Sequence, residues 1–492
     1  MARLDEVKPL AVPRQVVMKK ISRSEFRAFW VDAFHAGIKS RAEVDQLISD
    51  VRAARANAVL VEVRRRGDAY YNRSLEPRAP ELQKQPDYDP LAYLIETAHA
   101  ARPSIEVHAW LSALPIATLS APPIAPEHVY HSHGPAALGD EMWLSVAADG
   151  SLAAEDTLSL DPGHPAAAQH IVDVTLNLVR NYNVDGIHFD RIRYAGQEFG
   201  YNPVSLARYA AATGATGVPA PTDPAWQEWR RDQLTALMRQ IYLETVALKP
   251  KLKISAATIT WGDGPASNAE WQQSSALTGV FQDWPGWLSD GILDMAIPMN
   301  YDREADARQK VWFDHWIEWE KNHRANRHLV IGLGAFLNAT VDTVVQARRA
   351  LAPSARGGRA QGIAFYSHAV TNKDGVPSAD FFRALTGAGQ EGAQPLFATS
   401  VKPPLMAWKV RPSKGYLKGF VRHPDGRPAD GLTVEISGPL WRVMTVAGTG
   451  FYGTAELPPG RYAVTVTCFG QPVAAAETDV RAGTVATVDL EP

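Results

Sequence analysis

Between residues 26 and 385, short apolar runs alternate with longer stretches in which apolar side chains recur every three or four positions. The short runs are FRAFWVDAF (26–34), AVLVEVR (58–64), IEVHAWL (105–111), DGIHFD (185–190), KISAATI (253–259), LDMAIPMNY (293–301), HLVIGLGAF (328–336) and GIAFYSH (362–368). Their near-continuous apolarity is that of parallel strands covered on both faces. The longer stretches read as amphipathic helices. Over 41–56, Val44, Leu47, Ile48 and Val51 fall on one helical face; Ile171, Val174, Leu178 and Tyr182 make a second stripe, and 226–248 holds a third helix. Eight such βα units over roughly 360 residues predict an α/β fold, a (β/α)8 barrel with long loops. An open doubly wound sheet is the alternative, but no glycine-rich phosphate turn follows the first strand. In the barrel, functional side chains belong at the C-terminal strand ends, and 112–159, rich in Ala, Pro and His, becomes an elaborated loop on that face.

After Leu385 the texture changes. Through TGAGQEGAQPLFATSVKPP the helical period is lost, and from about 413 short runs of period-2 alternation follow, punctuated by Asp-Gly and Pro-Gly. That spacing predicts a small all-β sandwich. The expected division is an N-terminal extension (1–25), the barrel (26–390), a linker (391–412) and the sandwich (413–492).

Composition removes several function classes. Of the 492 residues 46% are hydrophobic and 21% charged, the balance of a globular chain. The net charge is −3, with Lys and Arg scattered, so no basic stripe tracks a phosphate backbone and nucleic acid is not an expected partner. No run of about 18 apolar residues is present, so no transmembrane segment is expected. The single cysteine, Cys468, excludes an internal disulfide and a multi-thiolate metal site. The opening MARLDEVKPLAVPRQ lacks a signal-peptide layout, which leaves a cytoplasmic chain or one whose export signal was removed. Fourteen Trp and fifteen Tyr supply flat faces suited to stacking on sugar rings.

The chemistry concentrates in YNVDGIHFDRIRYAG (182–196). Asp190 ends the fourth strand, and Arg191, Arg193 and Tyr194 follow. A carboxylate beside guanidinium groups stays ionised near neutrality, as a nucleophile or cation stabiliser must; the same pair would also pin a loop. His188 shares a strand face with Asp190, as His108 does with Trp110, because residues two apart point the same way. An HxH pair, His131 and His133, raises a metal-dependent barrel hydrolase as a rival, although it sits in the loop after strand three rather than at the end of strand one.

LDPGHPAAAQHIVDVTLNLVRNYNVDGIHFDRIRY (160–194) resembles the signature of the family-10-like glycosyl hydrolases, a bacterial envelope group once known only as a domain of unknown function. The opening FWVDAFHAGIKSRAEVDQLISDVRAARANAVLVEVRRRGDAYYNRSLEP and the strand-three EVHAWL resemble the same family. Two departures stand out: Glu62 occupies a position where relatives often carry Gln, and HAWLSALP replaces the usual HAWLNP. After the barrel, Gly419 to Val434 and Leu457 to Val466 resemble a prealbumin-like, carboxypeptidase-regulatory-like module of the kind used for adhesion or positioning.

The resemblance implies a barrel glycoside hydrolase acting on a bacterial cell-envelope or extracellular polysaccharide, peptidoglycan-type or another amino-sugar glycan, with Asp190 as the strand-four catalytic carboxylate. It also implies a periplasmic or secreted location. Such hydrolysis needs no cofactor but does need a second carboxyl roughly 5–10 Å away. Asp302, Asp263, Glu62 and Asp68 are the candidates at the strand ends, and of these Asp302 and Asp263, from the strands beside strand four, are the expected general acid/base. Glu62, inside strand two, is expected to be balanced by Arg64. Arg64, Asp68, His108, Trp110, His188, Arg193, Tyr194, Trp261, Asn300, Tyr301 and Tyr366 are the expected substrate contacts, with no metal ligand. The competing class is a non-catalytic glycan-binding barrel.

Overall fold

The computed structural model describes residues 24–388 and 394–492; the expected extension at 1–25 therefore lies almost wholly outside the described residues. Eight parallel strands close into a barrel in chain order: β1 (Phe26–Val31), β2 (Ala58–Arg64), β3 (Glu106–Ser112), β4 (Gly186–Asp190), β5 (Lys253–Thr258), β6 (Met295–Asn300), β7 (His328–Gly334) and β8 (Gly362–Tyr366), the last pairing with β1. Nearly every strand residue is buried, as a sheet with side chains packed inside and helices outside requires. Helix Arg41–Ala53 buries Val44, Leu47, Ile48 and Val51, and Ser40 caps its first turn by accepting from the Glu43 N–H. Helix Pro165–Asn181 buries Ile171, Val174 and Leu178. The 112–159 loop carries a three-stranded sheet (Pro115–Thr118, Ala153–Ala154 and Thr157–Ser159) over the C-terminal end of the barrel.

The other end of the barrel is plugged. The segment expected as a linker is packed from 394 onward. Phe397 is buried; Arg27 donates to the Thr399 carbonyl (2.7 Å) and Asn57 to that of Val401 (3.0 Å). Met406 enters the interior cluster with Phe26, Met295 and Ile297. Trp408 and Lys409 both bond to Asp294, at 2.7 and 2.9 Å. Apolar and polar groups in 394–412 thus partner the side chains of Arg27, Asn57 and Asp294 at the strand beginnings, a role that local texture alone does not reveal.

The C-terminal residues form two facing sheets. One holds β9 (Gly415–Phe420), β12 (Phe451–Leu457) and β15 (Val485–Thr487), and the other β10 (Thr433–Ser437), β11 (Arg442–Thr445), β13 (Gly460–Cys468) and β14 (Gln471–Val480). Between them lie Leu417, Val434, Ile436, Leu457, Tyr462, Val464 and Val466. Ion pairs Lys418–Glu244 (2.6 Å) and Arg208–Asp430 (2.6 Å) tie the sandwich to the barrel helices.

Candidate active site

Asp190 is the last residue of β4. Gly186, His188 and Asp190 alternate into the barrel, and Asp190 faces Ser112 across the β3–β4 ladder. One carboxylate oxygen accepts from the Arg193 guanidinium (3.1 Å) and from the Arg191 N–H (2.6 Å). Burial alone would raise the Asp190 carboxyl, but Arg193 and Arg191 overcome it and hold it below the ordinary carboxylate value. It is anionic at neutral pH.

Beneath it, burial pushes the His188 imidazole down to about 3. The Trp30 indole N–H donates to its Nε2 (2.9 Å), which leaves Nδ1 to donate to the Ser255 hydroxyl (3.0 Å). A neutral, fully bonded histidine is therefore the floor of the site rather than a proton carrier. His108 lies a layer lower, against Phe26 and Glu106, out of reach of a ligand at the strand ends.

A second carboxyl shares the cleft with Asp190, and it is Glu62. The cleft, about 100 Å³, is lined by Phe34, Glu62, Trp110, Asp190 and Tyr366, with Arg65, Arg66 and Arg191 at its rim. Glu62 is 3% exposed. It accepts from the Ser112 hydroxyl and the Ala33 N–H, both at 3.0 Å. Burial pushes its carboxyl up from 4.5 to about 7, against those two donors, and the charge of Asp190 adds to the rise. Two carboxyls with values driven apart by their surroundings can divide the roles of proton donor and anion.

Beyond Arg193 a second lobe, about 370 Å³, is lined by Trp261, Met299, Tyr301, Asp302 and Trp312. Asp302 is 8% exposed. Burial, then Asp263 and Asp306, push its carboxyl up to about 7. Trp261 is 51% exposed, and Tyr301 stands edge-on to Trp30 and beside Tyr366.

The structure thus brings together Asp190, Arg193, Trp110, Tyr366, Trp261, Tyr301 and Asp302. Other expected site residues sit elsewhere. Asp263 is solvent-exposed and pairs with His315 (2.7 Å), outside both lobes. Arg64 does not balance Glu62 and is closed to ligands: it is fully buried, forks onto Glu76 at 2.7 Å through two nitrogens, and donates to the carbonyls of Ser112 and Ala113. It fixes the end of β3 from which Ser112 reaches Glu62. Asp68 orders its own loop by accepting from the Arg66 N–H (3.0 Å) and pairing with Arg65. Tyr194 is buried against Phe281, with its hydroxyl toward Asp161. Asn300 points out of the barrel to Glu320 (3.1 Å). His131 bonds the Pro123 carbonyl while His133 stacks on Trp143, so the two rings serve different neighbours.

Phe34, Arg65, Arg66, Ser112 and Trp312 were not singled out as site residues. The first four lie at or just beyond the ends of β1, β2 and β3, the signal that could have found them. Trp312 comes from a helix, Ala307–Asn322, and carries no such mark.

Comparison with known proteins agrees with this architecture. The family model described as glycosyl hydrolase-like 10 matches residues 25–346, and that of the carboxypeptidase regulatory-like domain matches 416–491. Glycosyl hydrolase YngK of Bacillus subtilis is 27% identical over 314 residues, covering 61% of this chain and 56% of its own length. Glycosyl hydrolase DigH of Escherichia coli K12 is 23% identical over 316 residues, covering 60% and 66%. The chain therefore spans between half and two thirds of these relatives. The PgaB (BpsB) glycoside hydrolase domain of Bordetella bronchiseptica superposes with a TM-score of 0.51 at 17% identity, covering 73% of this chain and 98% of that one. The likeness is one of fold.

Proposed function

Because the chain belongs to the glycosyl hydrolase-like 10 family, we propose that it hydrolyses glycosidic bonds by a two-carboxylate mechanism, with Asp190 as the anionic partner and Glu62 as the proton donor. The observation that carries this reading is the shared cleft. Arg193 and Arg191 keep Asp190 ionised, while burial lets Glu62 keep a proton near neutrality. Glu62 would protonate the leaving oxygen, and Asp190 would attack or stabilise the oxocarbenium-like centre. Tyr366 and Trp110 line the same cleft. No cofactor enters this scheme.

Asp302 is the second reading for the acid, favoured by its raised carboxyl and by the Trp261, Tyr301 and Trp312 surfaces around it. Either way, the aromatic lobe supplies stacking faces for sugars running away from the scissile bond. The basic rim of the other lobe, Arg65, Arg66 and Arg191, suits a glycan with acidic substituents. Peptide-free peptidoglycan strands, whose lactyl groups carry free carboxylates, are the substrate class we propose, and a periplasmic or extracellular location is part of that proposal. The test is release of reducing ends from peptide-free peptidoglycan strands against a neutral β-linked polysaccharide. Cleavage of the first and not the second is expected; the reverse would remove the acidic-glycan assignment.

A further inference from the structure

A second cleft lies between the barrel and the sandwich, away from the carboxyl pair. It measures about 590 Å³, within the roughly 300–1,000 Å³ of small-ligand sites. One wall comes from helix Pro224–Leu248, with Trp229, Asp232, Gln233 and Arg239, and the other from β10, β11 and the β13–β14 hairpin. A further cavity of about 330 Å³ shares Arg239 and Met444 with it, so the two together make a groove along β11.

The hairpin supplies the telling residue. Cys468 ends β13 and Gln471 begins β14, so Phe469 and Gly470 are the two turn residues, with φ of 47° and 75°. Both left-handed positions of such a turn favour Gly, Asn or Asp. A bulky side chain there is a conformational outlier, and outliers of this kind cluster at functional sites. Phe469 gains no packing in return: it is 101% exposed, yet it borders the cleft. Neither turn chemistry nor core formation accounts for an aromatic ring at that point.

We propose that this interdomain groove binds a second stretch of glycan, with Phe469 as a stacking face and the planar polar groups of Asp232, Gln233 and Arg239 as partners for sugar hydroxyls. The inference rests on the glycan reading above. Holding a polymer at two places on one chain raises its effective concentration at the cleft. An extended peptide adding to the free edge of β11, which pairs only with β10 among the described residues, is the competing occupant. The opposite wall sets Trp229, Ala211 and Ala236 among Asp232, Gln233 and Arg239, without the regular row of apolar pockets that strand addition uses for alternate side chains.

The experiment uses the full chain carrying Asp190→Asn and measures retention on peptidoglycan strands immobilised on beads, with and without stem peptides. Phe469→Ala and, separately, Ala212→Trp, which fills the groove from an exposed helical position, are each expected to weaken retention by roughly tenfold or more, the loss of a second attachment point. On the Asp190 background, turnover of a short soluble oligosaccharide by the two variants is expected to be unchanged. Equal retention of all forms would overturn the groove while leaving the hydrolase reading intact. No retention by any form would overturn both. Groove-dependent retention only on strands bearing stem peptides would assign the groove to peptide and overturn the proposal.

Discussion

Replacing Glu62 by Gln separates the two consequences of burying that carboxyl. The amide keeps the shape and the acceptor for the Ala33 N–H, but it cannot donate a proton as an acid. In the folded protein the carboxyl is raised from 4.5 to about 7. A raised value means that between these limits the folded chain holds a proton that the unfolded chain has lost, so stability falls as pH climbs from 4.5 through 7. The interval, 7 − 4.5, at about 1.4 kcal/mol per pH unit gives a loss of about 3 kcal/mol above neutrality. Glu62→Gln removes that loss. Its urea unfolding free energy is predicted to match the parent near pH 4.5 and to exceed it by up to about 3 kcal/mol at pH 8. Activity moves the other way: loss of a positioned acid costs about 10²–10⁴ in rate. The loss should shrink on aryl glycosides whose phenol leaves without protonation. A variant with full activity and an unchanged basic limb of the pH–rate profile would refute Glu62 as the acid and pass the role to Asp302. A stability difference independent of pH would refute the raised carboxyl itself.

Arg193→Gln should let the Asp190 carboxyl rise, moving the acidic limb of the kcat/KM profile to higher pH; an unmoved limb would dismiss Arg193 as its tuner. Trp261→Ala removes a half-exposed stacking face and is expected to cost about 1 kcal/mol, roughly fivefold, in KM with kcat kept. Arg64→Met leaves buried Glu76 with only His170 (3.0 Å) as a charged partner and should lower the unfolding free energy by about 3 kcal/mol, read by urea titration; a change within error would mean the pair is not holding the end of β3.

The barrel was legible because its strands are apolar on both faces and its helices keep one apolar stripe, as in 41–56 and Pro165–Asn181. Asp190 was legible from its place at a strand end beside two arginines. The choice among the candidate second carboxyls was not. Asp263, flanked by Gly262 and Gly264, looks the same in sequence whether it faces the cleft or His315. Glu62 looked like an interior charge needing Arg64, but Arg64 turns to Glu76, twelve residues away, and the charge of Glu62 is met by protonation instead. Side chains near strand ends obey the two-residue alternation; the partner each one finds depends on loops that alternation does not describe. The same holds for 394–412, whose packing across the barrel floor depends on Asp294 and Asn57, far away in the chain.

Bond cleavage is proposed to depend on Asp190, a carboxylate held by Arg193. Asp190→Asn, checked for native secondary structure by circular dichroism and assayed for reducing ends from peptide-free glycan strands alongside the parent, tests this dependence most directly. Cleavage is expected to drop to the level of the buffer blank while strand binding persists. Undiminished release of reducing ends by the Asn variant would contradict the dependence.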